Sequence, residues 1–260
     1  MSANHIKNNE NRRSNQKLEK TISFYCKRNA IFTENCLYKY KAGNERDIIC
    51  FLENKLWVPN ILSLNDPQEC NVYFNSGNSD LDRKNKNLLV HHLNNTYVLC
   101  FSSCPNTICF NYYGNGYKGF CLVYEEEVLN SLFSYPGSCF CKSGDIVYGR
   151  PPENIISTNK ITTDFIFNKL LEKTIEWNIE FEKRYIFYDA FNEESGFYIS
   201  NLVPKAIIVG YKMDYFKKLL IKEHCDKCDI EFILCYKGNQ NYPLNVGYRK
   251  IAKGMQLDDD

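Results

Sequence analysis

The stretch Trp177–Tyr188 reads WNIEFEKRYIFY, and its pattern decides the class of fold. Mostly apolar residues, with Lys183 among them, alternate with Glu180, Glu182 and Arg184, which is the period-two pattern of a β-strand and not the 3.6-residue period of a helix. Because side chains two positions apart on a strand point to the same side, we expect these three charged residues to share one face. The Cβ atoms of the two glutamates would then lie roughly 6–7 Å apart.

Short strand patterns recur on both sides of this stretch. Alternating or continuous apolar runs predict strands at residues 36–40, 56–58, 97–102, 119–124, 197–200, 206–209, 230–236 and 246–251. Helical spacing predicts helices at 16–30, 44–52, 108–113 and 215–225, a helical turn or two at 88–93 after a polar stretch, and an amphipathic segment over 155–175. Short strands with unevenly interspersed helices are typical of the α+β class.

The chain has no internal repeat and no linker-like stretch, so a single domain is predicted for residues 31–254. Before it, residues 1–30 form a predicted basic arm and helix with seven Lys or Arg against two Glu. This excess could contact nucleic acid or an acidic partner, although a solvated helix face is the commoner use of such a pattern. After it, residues 255–260 form a predicted acidic tail.

The balance of charge and the scarcity of histidine exclude several classes of function. In 260 residues, 32 Lys and Arg are matched by 31 Asp and Glu, so no overall charge marks the chain as a nucleic-acid binder. With four histidines, histidine triads and multi-histidine metal centres are poor candidates. Carboxylates, hydroxyls, lysines and cysteines are left for any chemistry.

The 13 cysteines indicate a reducing compartment. Their number is odd, and the chain opens without an apolar leader, which argues against a disulfide framework. We therefore expect a cytoplasmic protein, and no apolar run is long enough to cross a membrane. The nearest approach to a zinc site is His224-Cys225-x-x-Cys228 with Cys235 downstream. A second Cys-x-x-Cys pair is missing, so no metal is predicted.

Two interpretations of Glu180, Glu182 and Arg184 stay open. The three residues could form a solvent-exposed ladder, as charges on an exposed strand face often do. Alternatively, one carboxylate could be catalytic and held beside a helper, with the charge of Arg184 offsetting the repulsion between the two glutamates.

A pair of hydroxyls follows an apolar strand in the middle of the chain. The run Val98–Phe101 ends in Ser102 and Ser103. Side chains at strand ends are commonly presented to ligands, so these hydroxyls could bind a carboxylate or a ribose. They could equally cap the strand.

Aromatic residues surround a lysine near the start of the predicted domain. Lys39 lies between Tyr38 and Tyr40, and Tyr113 ends a second aromatic segment. In a nucleotide site the lysine could meet a phosphate while a tyrosine stacks on a ring. A lysine within a strand can also simply face solvent.

Six motifs, taken in order, resemble a bacterial family known only as a domain of unknown function. They are LYKY at 37–40, LNDPxE at 64–69, LCFS at 99–102, YKGFCL at 117–122, WxxExExR at 177–184 and IIVG at 207–210. The resemblance spans nearly all of residues 36–250. It departs at Cys109-Phe110, where the family usually has an apolar residue and Trp.

That family is in turn distantly similar to the ADP-ribosyltransferases of the Arg-Ser-Glu type. Lys39, Ser102-Ser103 and Glu180-x-Glu182 lie in the places of that type's basic residue, Ser-x-Ser motif and Glu-x-Glu motif. The similarity implies a mixed, largely antiparallel split sheet flanked by helices. It also implies NAD as a substrate and transfer of ADP-ribose to a protein or nucleic acid, an activity that bacteria often use in toxins or antiviral effectors.

The resemblance further implies a role for each candidate residue. Glu182 would accept a hydrogen bond from the ribose 2′-hydroxyl in an oxocarbenium-like transition state, Glu180 would orient the acceptor, and Ser102 would hold Glu182. The residues predicted to bind NAD are Lys39 at the phosphates, Tyr40 or Tyr113 against nicotinamide, and Tyr38, Ser103 and Arg184.

Two other functions stay open. The chain could be a non-catalytic module that binds a nucleotide or a protein on the same fold. It could also be a nuclease that holds Mg²⁺ with Asp66, Glu69, Glu180 and Glu182, provided that these carboxylates converge.

Overall fold

The computed structural model describes residues 35–66, 72–133, 140–149, 153–155, 161–188, 195–237 and 246–257. The predicted basic arm and helix of residues 1–30, Glu69, and residues 258–260 of the acidic tail lie outside the described residues. The fold is α+β, with an open, mixed and mostly antiparallel sheet flanked by helices, which confirms the predicted class.

The strands are short, as the sequence predicts. They are β1 (Cys36–Lys41), β2 (Leu56–Pro59), β3 (Val72–Phe74), β4 (Thr96–Ser102), β5 (Phe120–Glu125), β6 (Phe140–Asp145), β7 (Val147–Tyr148), β8 (Glu153–Ile155), β9 (Glu172–Lys173), β10 (Glu182–Tyr188), β11 (Gly196–Ile199), β12 (Ala206–Val209), β13 (Glu231–Lys237) and β14 (Val246–Ile251).

The helices separate these strands unevenly. They are α1 (Glu45–Leu52), α2 (Ser79–Asn94), α3 (Thr107–Tyr113), α4 (Glu126–Phe133), α5 (Thr163–Leu170) and α6 (Tyr215–Cys228), with 3₁₀ helices at Ile61–Ser63 and Ile175–Glu180. No helix within the described ranges is both long and apolar enough to span a membrane.

Contacts between Cα atoms divide the chain into two compact units. Unit 1 takes its described residues from Met1–Ile49, Ser102–Leu129 and Val203–Asp260, and unit 2 from Cys50–Phe101 and Asn130–Leu202. Both units are built from separate stretches of the chain. The single domain predicted for residues 31–254 stays a prediction.

Unit 1 contains a mixed sheet in the order β14-β13-β12-β5-β1. Strands β1 and β5, β5 and β12, and β13 and β14 pair antiparallel, whereas β12 and β13 pair parallel. The parallel pair is joined through α6, which is the crossover that parallel neighbours require. The core of unit 1 includes Tyr38, Phe110, Cys121, Ile208 and Ile233.

Unit 2 contains the strands β4, β10 and β6 in that order, with β10 and β6 antiparallel. Three small ribbons accompany them, namely β2 with β11 (antiparallel), β3 with β8 and β7 with β9 (both parallel). Residues Val98 of β4, Phe167 and Leu170 of α5, and Ile186 of β10 pack in one core cluster. Strand β10 is buried along most of its length, and its charged residues Glu182 and Arg184 are buried with it.

Two helices of unit 2 differ from their predicted extent. Helix α2 begins at Ser79 and not at residue 88, because the Asn78 side chain accepts hydrogen bonds from the backbone N–H groups of Asp80 and Leu81 and caps the helix. Among its described residues, the amphipathic segment predicted over 155–175 is α-helical only in α5. Thr162 caps α5, Leu171 ends it, and the chain then continues as β9.

Candidate functional site

In unit 2, Glu182 and Arg184 contact each other at the start of β10. Arg184 Nε donates to Glu182 Oε1 at 2.6 Å, and Arg184 Nη2 donates to Oε2 at 3.3 Å. The prediction that these two residues share a face of one strand is therefore confirmed. The guanidinium holds both oxygens of the carboxylate, the geometry in which such pairs are strongest.

The prediction that Glu180 lies on the same strand is wrong. Glu180 ends the 3₁₀ helix Ile175–Glu180, and Phe181 follows with φ 47° and ψ 51°, in the left-handed region. This conformation turns the chain, so the extended strand begins only at Glu182. The period-two pattern in the sequence extends two residues further back than the strand itself.

Lys173 nevertheless brings the two glutamates together. Its Nζ lies 2.8 Å from Glu180 Oε2 and 2.7 Å from Glu182 Oε2. Because both oxygens contact one nitrogen, they are at most 5.5 Å apart. The same ammonium lies 5.0 Å from the ring centroid of Trp177, within cation–π range.

All four charged residues of this cluster are buried. Their exposed fractions are 9% for Lys173, 7% for Glu180, 5% for Glu182 and 0% for Arg184, so the interpretation as a solvent-exposed ladder is wrong. Two positive charges match two negative charges, as burial requires. Arg184 Nη1 also donates to the backbone carbonyl of Leu170 at 2.7 Å, which joins the cluster to the end of α5.

The ribbon of β7 and β9 positions Lys173. Tyr148 of β7 is the register partner of Lys173, and the backbone N–H of Gly149 donates to the Lys173 carbonyl at 3.0 Å. The Tyr148 hydroxyl accepts a hydrogen bond from the backbone N–H of Glu182 at 2.8 Å. Burial raises the pKa of Tyr148, so its phenol stays neutral.

The charges around Glu182 keep it ionised. Burial acts to raise the pKa of its carboxyl, but the cations Arg184 and Lys173 and a hydrogen bond from the Cys100 thiol outweigh burial and lower the pKa to about 2. For Lys173, burial acts to lower the pKa, yet the Glu182 and Glu180 carboxylates raise it overall. Glu182 is therefore an anion and Lys173 a cation at neutral pH.

This arrangement predicts sensitivity to acid. The folded pKa of Glu182, about 2, lies below the ordinary value of 4.5. The ionised Glu182 carboxylate therefore stabilises the folded state fully above pH 4.5, and this stabilisation is lost as the pH falls towards 2. We expect Glu182 to account for about 2 kcal/mol of the free energy of unfolding lost between pH 7 and pH 3. Urea unfolding at both pH values measures this loss, and the charge-balanced variant Lys173→Met/Glu182→Gln should lose about 2 kcal/mol less. An equal loss in both proteins would contradict the assignment.

Three partners of Glu182 were not predicted from the sequence, namely Cys100, Tyr148 and Lys173. Lys173 falls in the segment for which the sequence predicts only an amphipathic pattern, and nothing in that pattern connects Lys173 with the two glutamates. Tyr148 and Glu182 are 34 residues apart, and no local pattern connects them. Cys100 lies in an apolar run, where a thiol resembles any small buried residue.

The predicted hydroxyl pair lies in unit 1. Ser102 is the last residue of β4 and lies opposite Tyr38 in the antiparallel register with β1. Its hydroxyl donates to the backbone carbonyl of Cys104 at 2.9 Å, which fits the alternative of a strand cap. Ser103 is partly exposed. That Ser102 holds Glu182 and that Ser103 binds NAD stay predictions.

The aromatic candidates are also in unit 1. Tyr38 is a core residue, and the partly buried Lys39 follows it on β1. The Tyr40 hydroxyl accepts a hydrogen bond from the backbone N–H of Asn106 at 2.7 Å, at the start of α3. Tyr113 ends α3 and is partly exposed. Contacts of these residues with NAD stay predictions.

The His224–Cys228 motif lies on α6. Cys228 Sγ is 3.7 Å from His224 Nε2, whereas Cys225 is fully buried on the helix and Cys235 is a core residue of β13. Within the described ranges, no group of three or more His, Cys, Asp or Glu side chains is arranged to hold a metal ion.

Comparisons of the chain with protein-family models, with curated proteins and with solved structures found no match. The four buried charged residues Lys173, Glu180, Glu182 and Arg184 are called the ion cluster below.

Proposed function

We propose that the protein is an NAD-dependent ADP-ribosyltransferase-like enzyme in which Glu182 is the carboxylate that stabilises the reacting ribose. The supporting observation is that Glu182 is held ionised in a buried position at the first residue of a strand. A fixed negative charge in a site of low dielectric stabilises a developing positive charge far better than it does in water.

The lowered pKa of Glu182 fits this chemistry better than ordinary glycoside hydrolysis. Cleavage of an O-glycoside commonly needs a carboxylic acid of raised pKa to protonate the leaving oxygen. In NAD the leaving nitrogen already carries the positive charge of the pyridinium ring, so nicotinamide departs neutral without a proton. An ionised carboxylate with no acid partner is sufficient for that reaction.

The bond between ribose C1′ and the nicotinamide nitrogen breaks, its electron pair goes to nicotinamide, and the positive charge passes to the ribose. Glu182 accepts a hydrogen bond from the ribose 2′-hydroxyl and stabilises that charge. The acceptor nucleophile, or water, then bonds to C1′ and gives its proton to Glu180, whose Oε2 lies within 5.5 Å of Glu182 Oε2.

The alternative is a non-catalytic module that binds a nucleotide, and a specific observation favours it. Arg184 Nε occupies Glu182 Oε1, Arg184 Nη2 and Lys173 Nζ occupy Oε2, and Cys100 donates as well. A carboxylate engaged in this way serves the fold as an internal counterion. A Mg²⁺-dependent nuclease is not proposed, because Lys173 binds both glutamates of the ion cluster.

The test is incubation of the full chain with NAD. We expect release of nicotinamide, measured by chromatography, and addition of ADP-ribose to a protein or nucleic-acid acceptor, measured by mass spectrometry. Calorimetry with NAD and ADP-ribose distinguishes the alternative, since binding without turnover indicates the module. If the protein shows no binding and no turnover, both functions are contradicted.

A further inference from the structure

The two cations bound to Glu182 differ in how firmly they are held. Arg184 is completely buried, donates to both Glu182 oxygens and also donates to the Leu170 carbonyl. Moving its rigid guanidinium would leave a buried carboxylate, a buried cation and a backbone carbonyl without these bonds at once. Arg184 is therefore a fixed partner of Glu182.

Lys173 can leave Glu182 at a much lower cost. Its ammonium is shared between Glu182 and Glu180 and is carried on a flexible four-carbon stem. When it withdraws from Glu182 but stays on Glu180, the ion cluster separates into two neutral pairs, Glu182 with Arg184 and Glu180 with Lys173. No buried charge then lacks a counterion, and the ammonium changes its position against the Trp177 ring, whose centroid lies 5.0 Å from it while it binds both glutamates.

We propose that Lys173 is a gate on Glu182: it occupies the Oε2 position that a ribose 2′-hydroxyl takes, and it withdraws onto Glu180 when the ligand binds. This inference rests on the proposed function and concerns the same site. It makes Lys173 a positioning residue, since it acts through the two glutamates and not on the reacting atoms.

The charge of the site selects the chemistry of the ligand group. A group that replaces an ammonium on Glu182 Oε2 has to donate a hydrogen bond. A neutral hydroxyl leaves the Glu182–Arg184 pair balanced, whereas a cation adds a buried charge and an anion is repelled by the carboxylate. A ribose hydroxyl therefore fits, and the 2′ position is the one that the proposed reaction uses.

The gate is tested by calorimetry with ADP-ribose, which binds without turnover. The variant Lys173→Met/Glu180→Gln removes the gate and keeps the remaining charges balanced. It should bind ADP-ribose about tenfold more tightly than the wild type, because no ammonium has to be displaced from Glu182. An analogue that lacks the hydroxyl equivalent to the 2′-hydroxyl is the control, and its affinity should be the same for both proteins.

Fluorescence gives a second readout, since the chain has two tryptophans, Trp57 and Trp177. In a Trp57→Phe background, ADP-ribose should change the Trp177 emission when Lys173 is present and leave it unchanged in the Lys173→Met/Glu180→Gln variant. Binding with equal affinity in both proteins, with no change in Trp177 emission, would overturn the gate and leave the proposed function standing. Absence of binding to either protein would overturn the gate and the proposed function together.

Discussion

The variant Lys173→Met/Glu182→Gln is expected to release nicotinamide from NAD about 10²–10³-fold more slowly than the wild type. The physical reason is loss of the negative charge that stabilises the ribose cation. In this variant Glu180 and Arg184 remain, one charge of each sign, so the buried site stays neutral. The rate of nicotinamide release at saturating and limiting NAD measures the effect on kcat and on kcat/KM.

The matched control is Lys173→Met/Glu180→Gln, which makes the same lysine substitution and the same carboxylate-to-amide change. It differs only in keeping Glu182 and losing Glu180. We expect it to continue releasing nicotinamide but to transfer ADP-ribose poorly, because the group that takes the acceptor proton is missing. Thermal unfolding of both variants shows whether each is folded. Equal rates of nicotinamide release in the two variants would exclude Glu182 as the reacting carboxylate.

The strand at residues 182–188 could be predicted from the sequence because the alternation of side chains along a strand is a local pattern. Alternation predicted that Glu182 and Arg184 share a face, and their hydrogen bonds confirm it. The same alternation failed at Glu180, because Phe181 adopts a left-handed conformation that no period reveals. The burial of Glu182 and Arg184 could not be predicted either, because the alternation of polar residues is the same on an exposed strand and on a strand whose charges are paired inside the protein.

Lys173 shows why the rest of the site could not be predicted. Its position depends on where α5 ends, at Leu170, and on the pairing of β9 with β7. The apolar spacing around it continues past the end of α5, so the sequence does not show where the helix ends. A contact between Lys173 and two glutamates, one at the end of a 3₁₀ helix and one just after it, is tertiary, and only the fold supplies it.

Most strands, by contrast, were predicted to within a residue or two, as at β1, β4 and β12. At β4 and β12 the apolar runs are continuous because both faces are buried, and turn residues bound them. Helix α2 was missed over its first half because few of its residues are buried, so its apolar period is weak. Its start depends on a single side-chain cap at Asn78, which a pattern of hydrophobicity does not record.

The variant Arg184→Met is expected to lower the free energy of unfolding by about 3–5 kcal/mol, because it removes one partner of a buried ion pair. Glu182 then keeps Lys173 but loses the guanidinium, and the Leu170 carbonyl loses its donor. Urea unfolding at neutral pH measures the loss. The control is Lys227→Met, whose partner Glu223 lies on the surface of α6, and which should cost less than about 1 kcal/mol.

A second substitution separates the effect of charge from that of packing. Arg184→Met/Glu182→Gln removes both charges of the pair and leaves Lys173 balanced by Glu180. Because breaking a buried pair costs more than replacing it entirely, this double variant should be more stable than Arg184→Met alone. The double variant could instead be less stable than Arg184→Met alone. That result would show that Arg184 stabilises the fold through its packing and its hydrogen bond to Leu170, and not by balancing the charge of the Glu182 carboxylate.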